Sequence, residues 1–359
     1  MKRFSFIARL LLSAVLLVFL ILSPAFLAEN LSKNRYREFL SPQRESWTGI
    51  LTVWHVAGFK TFQGSITSFL QDTAGQYEKS HAGIYVKVVG LDPADAAQRL
   101  QRGEKPDIWS FPSGFLYAEQ LKKLDPEQMN ISQLSDSSLG DDAGLYAIPY
   151  LYSCYFLVEN TQAAPIASHS EDFPGFVRQL QTTKTAVACD SPLPAAFLGL
   201  CVEPLSLETF HKGNCAYAIL DARKLGDLTR SESQLISLRR AEAIPFTDMV
   251  QYLGLDTALA PEKEQYALSY INLMLAQQTQ AKITALGAFP MCSLLQPPTY
   301  ASDLLDRARR SLKDPLFLHT FAHYSLQTVL TETAQAALRG DTRAASDFQE
   351  RLREAAAKE

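Results

Sequence analysis

The side chains best suited to catalysis or metal binding are six histidines and five cysteines, and their spacing supports neither role. His319 and His323 lie four apart, as a metal pair on one helix face would. No Glu follows His319, so the metalloprotease pattern fails, and packing or hydrogen bonding is the plainer role. His55, His81, His169 and His211 are scattered. Cys215 has His211 nearby but no third group to orient the pair. The cysteines Cys154, Cys189, Cys201, Cys215 and Cys292 contain no CxxC, which argues against a zinc ribbon or a dithiol motif. Cys189 and Cys201 suit one disulfide, and several buried free thiols among the five are the alternative. Gly-Lys-Ser phosphate loops, a G-x-S-x-G elbow and G-x-G-x-x-G are all absent. The sequence therefore predicts no enzyme, no metal and no cofactor.

The chemistry that remains is recognition. Trp54 and His55 end a short apolar strand that starts at Gly49, and Phe111 and Ser113 end another that starts at Asp107. An indole or phenyl ring at a strand end is a stacking face for a sugar ring or another flat apolar surface. Trp54 and Trp109 equally suit a packed core. Tyr150 and Tyr152 sit in an aromatic stretch from Leu145 to Asn160, read as one strand that leaves a first lobe for a second. Pro149 limits that strand to a partner on one side. Arg223 follows a small-residue strand, Gly213–Ile219, and suits either a ligand carboxylate or hydroxyl pair or an ion pair at a helix start.

These positions depend on their elements. A helix over about 61–80 follows the first strand, then a strand over 84–89, a helix over 95–102 and the strand at 107–111. Strand, helix, strand, helix, strand is the pattern of a parallel α/β sheet, and such sheets gather ligands at the carboxyl ends of their strands. A second helical block covers Pro261–Gln280, and the tail from Ser346 reads as a solvated helix.

The chain has 359 residues, 47% apolar and 20% charged, enough for two domains of ordinary size. With 34 basic and 38 acidic side chains, the net charge is -4, and no domain-sized basic patch favours a nucleic acid. Lys2, Arg3 and Arg9 precede an apolar run from Leu10 to Ala28, which reads as an export signal or an uncleaved membrane anchor. Ser23-Pro24-Ala25 offers a cleavage site, and no lipid-anchor Cys follows the run. The positive flank places the remainder outside the cytoplasmic membrane. A polar spacer fills 29–47.

Four segments taken in order resemble the extracellular solute-binding proteins of ABC transporters, the sugar-binding branch above all. They are Ile50–Trp54 with Gly83–Val88, Gly103–Trp109, Tyr146–Tyr150 ending in Asn160, and Ala267–Ile271 with Gln280 and Gly287–Pro290. Gly213–Ile219 is a weaker match. The interval from Asn160 to Gly213 is short for that family, so the second lobe is shortened. The resemblance implies a two-lobed α/β fold of the periplasmic-binding-protein type (type II), with a hinge cleft. Its implied first lobe is 48–151 with 249–291, and its second is 152–248 with 292–359. It further implies a small-molecule ligand, a sugar first, bound by Trp54, His55, Phe111, Ser113, Tyr150, Tyr152 and Arg223. An ABC permease is the implied partner. The alternative is a membrane-tethered sensor or assembly protein that has kept the binding fold but not transport.

Overall fold

The computed structural model describes residues 47–130, 146–163, 172–230, 236, 238–292, 305–306, 310, 312, 315–318 and 324–357. The predicted export segment at 1–28, nearly all of the spacer, and His169, His319 and His323 lie outside the described residues. Two compact units are present. Of the described residues the smaller holds 47–49 and Lys79–Ile84, and the Gly49 amide donates to the Gly83 carbonyl at 3.0 Å. The larger runs over Ile50–Glu78 and Tyr85–Glu359.

Local rules account for the first strands and helices. Strand β1 (Gly49–Val56) is followed by helix α1 (Ile66–Ser80), strand β2 (Ile84–Leu91), helix α2 (Pro93–Gln101) and strand β3 (Ile108–Pro112). Pro93 sits where its missing N–H costs nothing, and the Asp92 carboxylate accepts from the Asp95 amide at 2.9 Å to cap α2. Helix α1 buries Ile66, Phe69, Leu70, Thr73, Ala74 and Tyr77 on one face. β1 and β3 are parallel neighbours, with Val53 opposite Ile108, as the strand–helix alternation predicts.

The short strand β4 (Leu121–Lys122) leads on to strand β5 (Ala147–Tyr152), and strand β6 (Tyr155–Asn160) follows two residues later. The stretch expected as one strand is thus two, in different sheets. The break falls at Ser153-Cys154, where the chain crosses. Helices α3 (Phe173–Thr183), α4 (Pro192–Phe197) and α5 (Leu207–His211) precede strand β7 (Tyr217–Asp221) and helix α6 (Ala222–Arg230). Then come strands β8 (Leu238–Ala243), β9 (Phe246–Thr247) and β10 (Val250–Asp256), and helices α7 (Pro261–Leu275) and α8 (Gln277–Ile283). Strands β11 (Phe289–Pro290) and β12 (Leu316–Phe317) and helices α9 (Tyr324–Leu338) and α10 (Thr342–Ala357) end the described chain.

Among the described residues the first sheet has the order β11-β5-β10-β3-β1-β2, with β4 also on β10. It is mixed rather than purely parallel, because β10 runs antiparallel between β3 and β5. β11 pairs only with Leu151 and Tyr152, so Pro149, which has no N–H to donate, faces β10 alone. The late helix α7 packs on this sheet's helix α1: the Tyr77 and Tyr270 rings meet edge to face at 5.6 Å, and each hydroxyl donates to a carbonyl of the other helix. The second sheet has the order β7-β6-β8, and central β6 is buried at every residue. One of its faces shares a core with Phe176, Leu193, Leu330, Leu338, Phe348 and Leu352, from α3, α4, α9 and α10.

The two sheets meet where the chain passes between them. Val250 lies opposite Tyr152, the Ser153 amide donates to the Met249 carbonyl at 2.9 Å, and the Ile244 amide donates to the Tyr155 carbonyl at 2.8 Å. β12 joins as a third strand of the crossing, parallel to β9.

Asp107 anchors the turn into β3. It accepts from the Thr52 amide at 2.8 Å and the Thr52 hydroxyl at 2.9 Å, and the Lys263 ammonium from α7 lies 2.9 Å away. Removing the carboxylate leaves three donors short of an acceptor in a mostly buried site. Asp107→Ala is expected to cost about 3 kcal/mol in urea unfolding, with an unchanged slope.

Candidate functional site

The register brings one end of each strand to the crossing. Val56 ends β1, Pro112 ends β3, Tyr152 ends β5, and antiparallel β10 begins there at Val250. From the second sheet, Tyr155 begins β6 opposite Asp221, the last residue of β7, and α6 starts at once with Ala222 and Arg223. This is the edge at which an open α/β sheet offers a ligand site.

The seven predicted site residues do not share one surface. Trp54 and His55 are consecutive in a strand, so their side chains point to opposite faces of the sheet. Trp54 is 5% exposed; its ring and that of Trp109 are perpendicular with centres 5.3 Å apart, and the Arg99 guanidinium lies 5.6 Å from its ring centre. Trp109 in turn donates its indole N–H to Asp256 at 2.9 Å. Phe111 is fully buried and stacks on Tyr252 at 5.8 Å. Tyr150 is fully buried as well.

Two of the seven come together in a polar network that spacing alone did not reveal. The His55 Nδ1 lies 2.9 Å from the Ser110 hydroxyl, which lies 2.8 Å from the Tyr150 hydroxyl. Gln251 completes the group: its Nε2 donates to the Val56 carbonyl at 2.9 Å and lies 3.3 Å from Ser110 Oγ. Its Oε1 is buried without a hydrogen-bond partner and points toward Gly58, whose missing side chain leaves room beside Pro112. Nothing in the local sequence around Ser110 or Gln251 marks either residue as a partner of His55. The signal for Ser110 lay in the β1–β3 register, which sets His55 opposite Ser110. Burial lowers the His55 pKa from 6.5 to about 4, so the ring is neutral at physiological pH.

The other three predicted residues lie at the crossing or beside it. The Ser113 hydroxyl donates to the Leu318 carbonyl at 3.2 Å, pinning the end of β3 to the third passage of the chain. Tyr152 keeps part of its surface open, with its ring against Phe317 at 5.0 Å and Phe289 at 5.5 Å. Arg223 in the first turn of α6 is 40% exposed and lies 3.6 Å from Asp227, one helical turn on. Nearby, Tyr155 donates its hydroxyl to Asp248 at 2.8 Å, and burial pushes the Asp248 carboxyl above its usual range. Lys224 pairs with Asp190 and, at 3.7 Å, with Asp221.

Among the described residues no cluster of three or more His, Cys, Asp or Glu could hold a metal ion, and no helix is long and apolar enough to cross a membrane. All five cysteines are free thiols: Cys189 points to the Ser191 carbonyl at 3.2 Å, and Cys201 is exposed.

No protein-family model and no curated protein sequence matches the chain. Solved structures do. The unliganded maltodextrin-binding protein MalE1 of L. casei BL23 superposes with a TM-score of 0.60 at 13% identity, over 87% of this chain and 99% of that one. The GacH receptor of Streptomyces glaucescens GLA.O, solved alone and with acarbose, gives 0.58 at 14% identity, over 87% and 99%. This is the two-lobed periplasmic-binding-protein fold. A chitin oligosaccharide binding protein gives 0.56 at 14% identity, over 86% and 99%. The likeness covers nearly the whole length of each of these neighbours.

The neutral His55 sets a pH dependence. As pH falls below about 6.5 the unfolded ring takes up a proton, whereas the folded ring does so only near pH 4. Stability contributed by this group is complete above pH 6.5 and declines by about 3 kcal/mol toward pH 4. Urea midpoints at pH 7 and pH 4.5 should therefore differ more in the native protein than in His55→Asn.

Proposed function

We propose that the chain binds a small solute, a carbohydrate above all, in a cleft between its two sheets, outside the cytoplasmic membrane, and delivers it to an ABC permease without catalysis. The observation that carries this reading is the crossing itself. Two sheets are joined through short extended passages, at the edge that carries the strand ends. That is the architecture in which two lobes close on a ligand and are held closed by contacts to both. Among proteins with this fold are a receptor solved with acarbose, a maltodextrin-binding protein and a chitin oligosaccharide binding protein.

The lobes of this reading are 48–151 with 249–291 and 152–248 with 292–359. Of the seven site residues, Tyr152 and Arg223 supply the ligand contacts. Tyr152 offers a partly open ring for a sugar face, and Arg223 offers a half-exposed guanidinium for hydroxyls or a carboxylate. Ser113 holds the hinge edge beside them. Trp54, His55, Phe111 and Tyr150 form the rigid floor that fixes the ends of β1, β3 and β5. The apolar run at Leu10–Ala28 supplies export, by cleavage or as an anchor.

A second reading, a tethered sensor or assembly protein, is favoured by the three strands of the second sheet among the described residues and by the absence of a lipid-anchor Cys after the apolar run. Solute uptake that depends on this chain in membrane vesicles separates the two.

A thermal-shift screen against maltodextrins, chitin oligosaccharides, amino acids, peptides and anions tests the binding reading. An oligosaccharide should raise the midpoint, since it binds the native state alone. Tyr152→Ala should weaken that ligand by about 1–3 kcal/mol in calorimetry, the loss of one stacking face. A screen in which only amino acids or peptides shift the midpoint overturns the carbohydrate assignment.

A further inference from the structure

The loop between β1 and α1 does something that a freely opening hinge would not require. It is fixed to the first sheet's side of the molecule by the Gln63 amide, which donates to the Leu286 carbonyl at 3.1 Å, and it is braced internally by the Thr61 hydroxyl, which donates to the Gly64 carbonyl at 3.1 Å. Its Phe62 ring, however, is buried in the core on one face of the second sheet, with Phe156, Val158, Ala218, Leu220 and Leu225. Phe62 is only 7% exposed.

Two glycines make room for this ring. Gly226 lies inside α6, where glycine is a poor helix former and serves no turn. A Cβ placed there would lie 2.3 Å from Phe62 Cδ2, well inside van der Waals contact. Gly287 has φ +76 and precedes β11; a Cβ there would lie 2.7 Å from Phe62 Cβ. The ring is thus seated in a slot with glycine on two sides, one from each part of the molecule. Phe289, from β11 of the first sheet, is buried in the same core, and Tyr152 packs against it.

We infer that Phe62 is an intramolecular latch that holds the two sheets together when no solute is bound. Burying an aromatic ring is a strong driving force for closure, and the side chain that supplies it is anchored on the opposite side of the crossing. Any solute that reaches Tyr152 meets a cleft whose closure Phe62 already maintains. The latch rests on these contacts alone; only its effect on solute entry rests on the binding reading.

The test needs no ligand. Spin labels at Lys87→Cys on β2 and Lys212→Cys after α5, both exposed positions, report the separation of the two parts in a Cys201→Ser background. The native ring should give one narrow distance distribution. Phe62→Ala should shift it to longer, broader distances, with Phe62→Leu between the two. Gly226→Ala drives a methyl into the ring from the other side and should also open the protein, which keeps the inference testable if Phe62→Ala fails to fold. The Gly226→Ala exchange should lower the melting temperature with Phe62 present and raise it in Phe62→Ala, where the collision is gone and helix propensity alone acts. Distances unchanged in folded Phe62→Ala and Gly226→Ala proteins, or a broad distribution in the native protein, overturn the latch. A latch that opens as expected while no solute shifts the melting midpoint would count against the binding reading alone.

Discussion

The structure depends on backbone hydrogen bonds shared by the chain passages between the two sheets. Residues 152–155, 244–250 and 316–318 run side by side, and each satisfies the others' amides and carbonyls. The Thr247 hydroxyl adds a bond to the Ser153 carbonyl at 2.6 Å. Such passages are buried and cannot turn to water for partners, so they must run together or not at all. That requirement splits the aromatic stretch at Ser153-Cys154 and sends β5 and β6 into different sheets. It also places β10 antiparallel between two strands that are parallel to each other.

Within the first sheet, most buried polar side chains find partners, and Gln251 Oε1 is an exception. Asp107 collects Thr52 and Lys263, Trp109 finds Asp256, and His55 joins Ser110, Tyr150 and Gln251. Each network links strands that are distant in sequence, and each fixes the position of a strand end. These networks cross-link the first sheet, while Tyr152 and Arg223 retain exposed surface at the crossing. A rigid floor with a few open groups suits recognition, since little ordering remains to be done when a ligand arrives.

Phe62 gives the same fold a different balance. Hinge closure needs an energetic reason, and in a ligand-driven hinge the ligand provides it. Here a side chain of the chain itself enters the second sheet's core, and Gly226 and Gly287 are shaped to receive it. The structural relatives share the fold at 13–14% identity, a level at which the fold persists while such local contacts differ freely.

The sequence by itself determined the local elements and their order. Alternation and helical spacing locate β1, α1, β2, α2 and β3, the aromatic passage out of the first sheet, the late block at α7 and α8, and the C-terminal helix α10. These are period-2 and period-3.6 signals, which depend on neighbours only a few residues away. Tertiary structure decided the rest. It set Trp54 on the face opposite His55 and closed it under Trp109 and Arg99, buried Phe111 and Tyr150 completely, and kept Tyr152 and Arg223 partly open. It also brought Gln251 to His55 and Phe62 to Gly226. Exposure and contact at these positions depend on which distant strand or helix covers them, and no spacing within one segment carries that information.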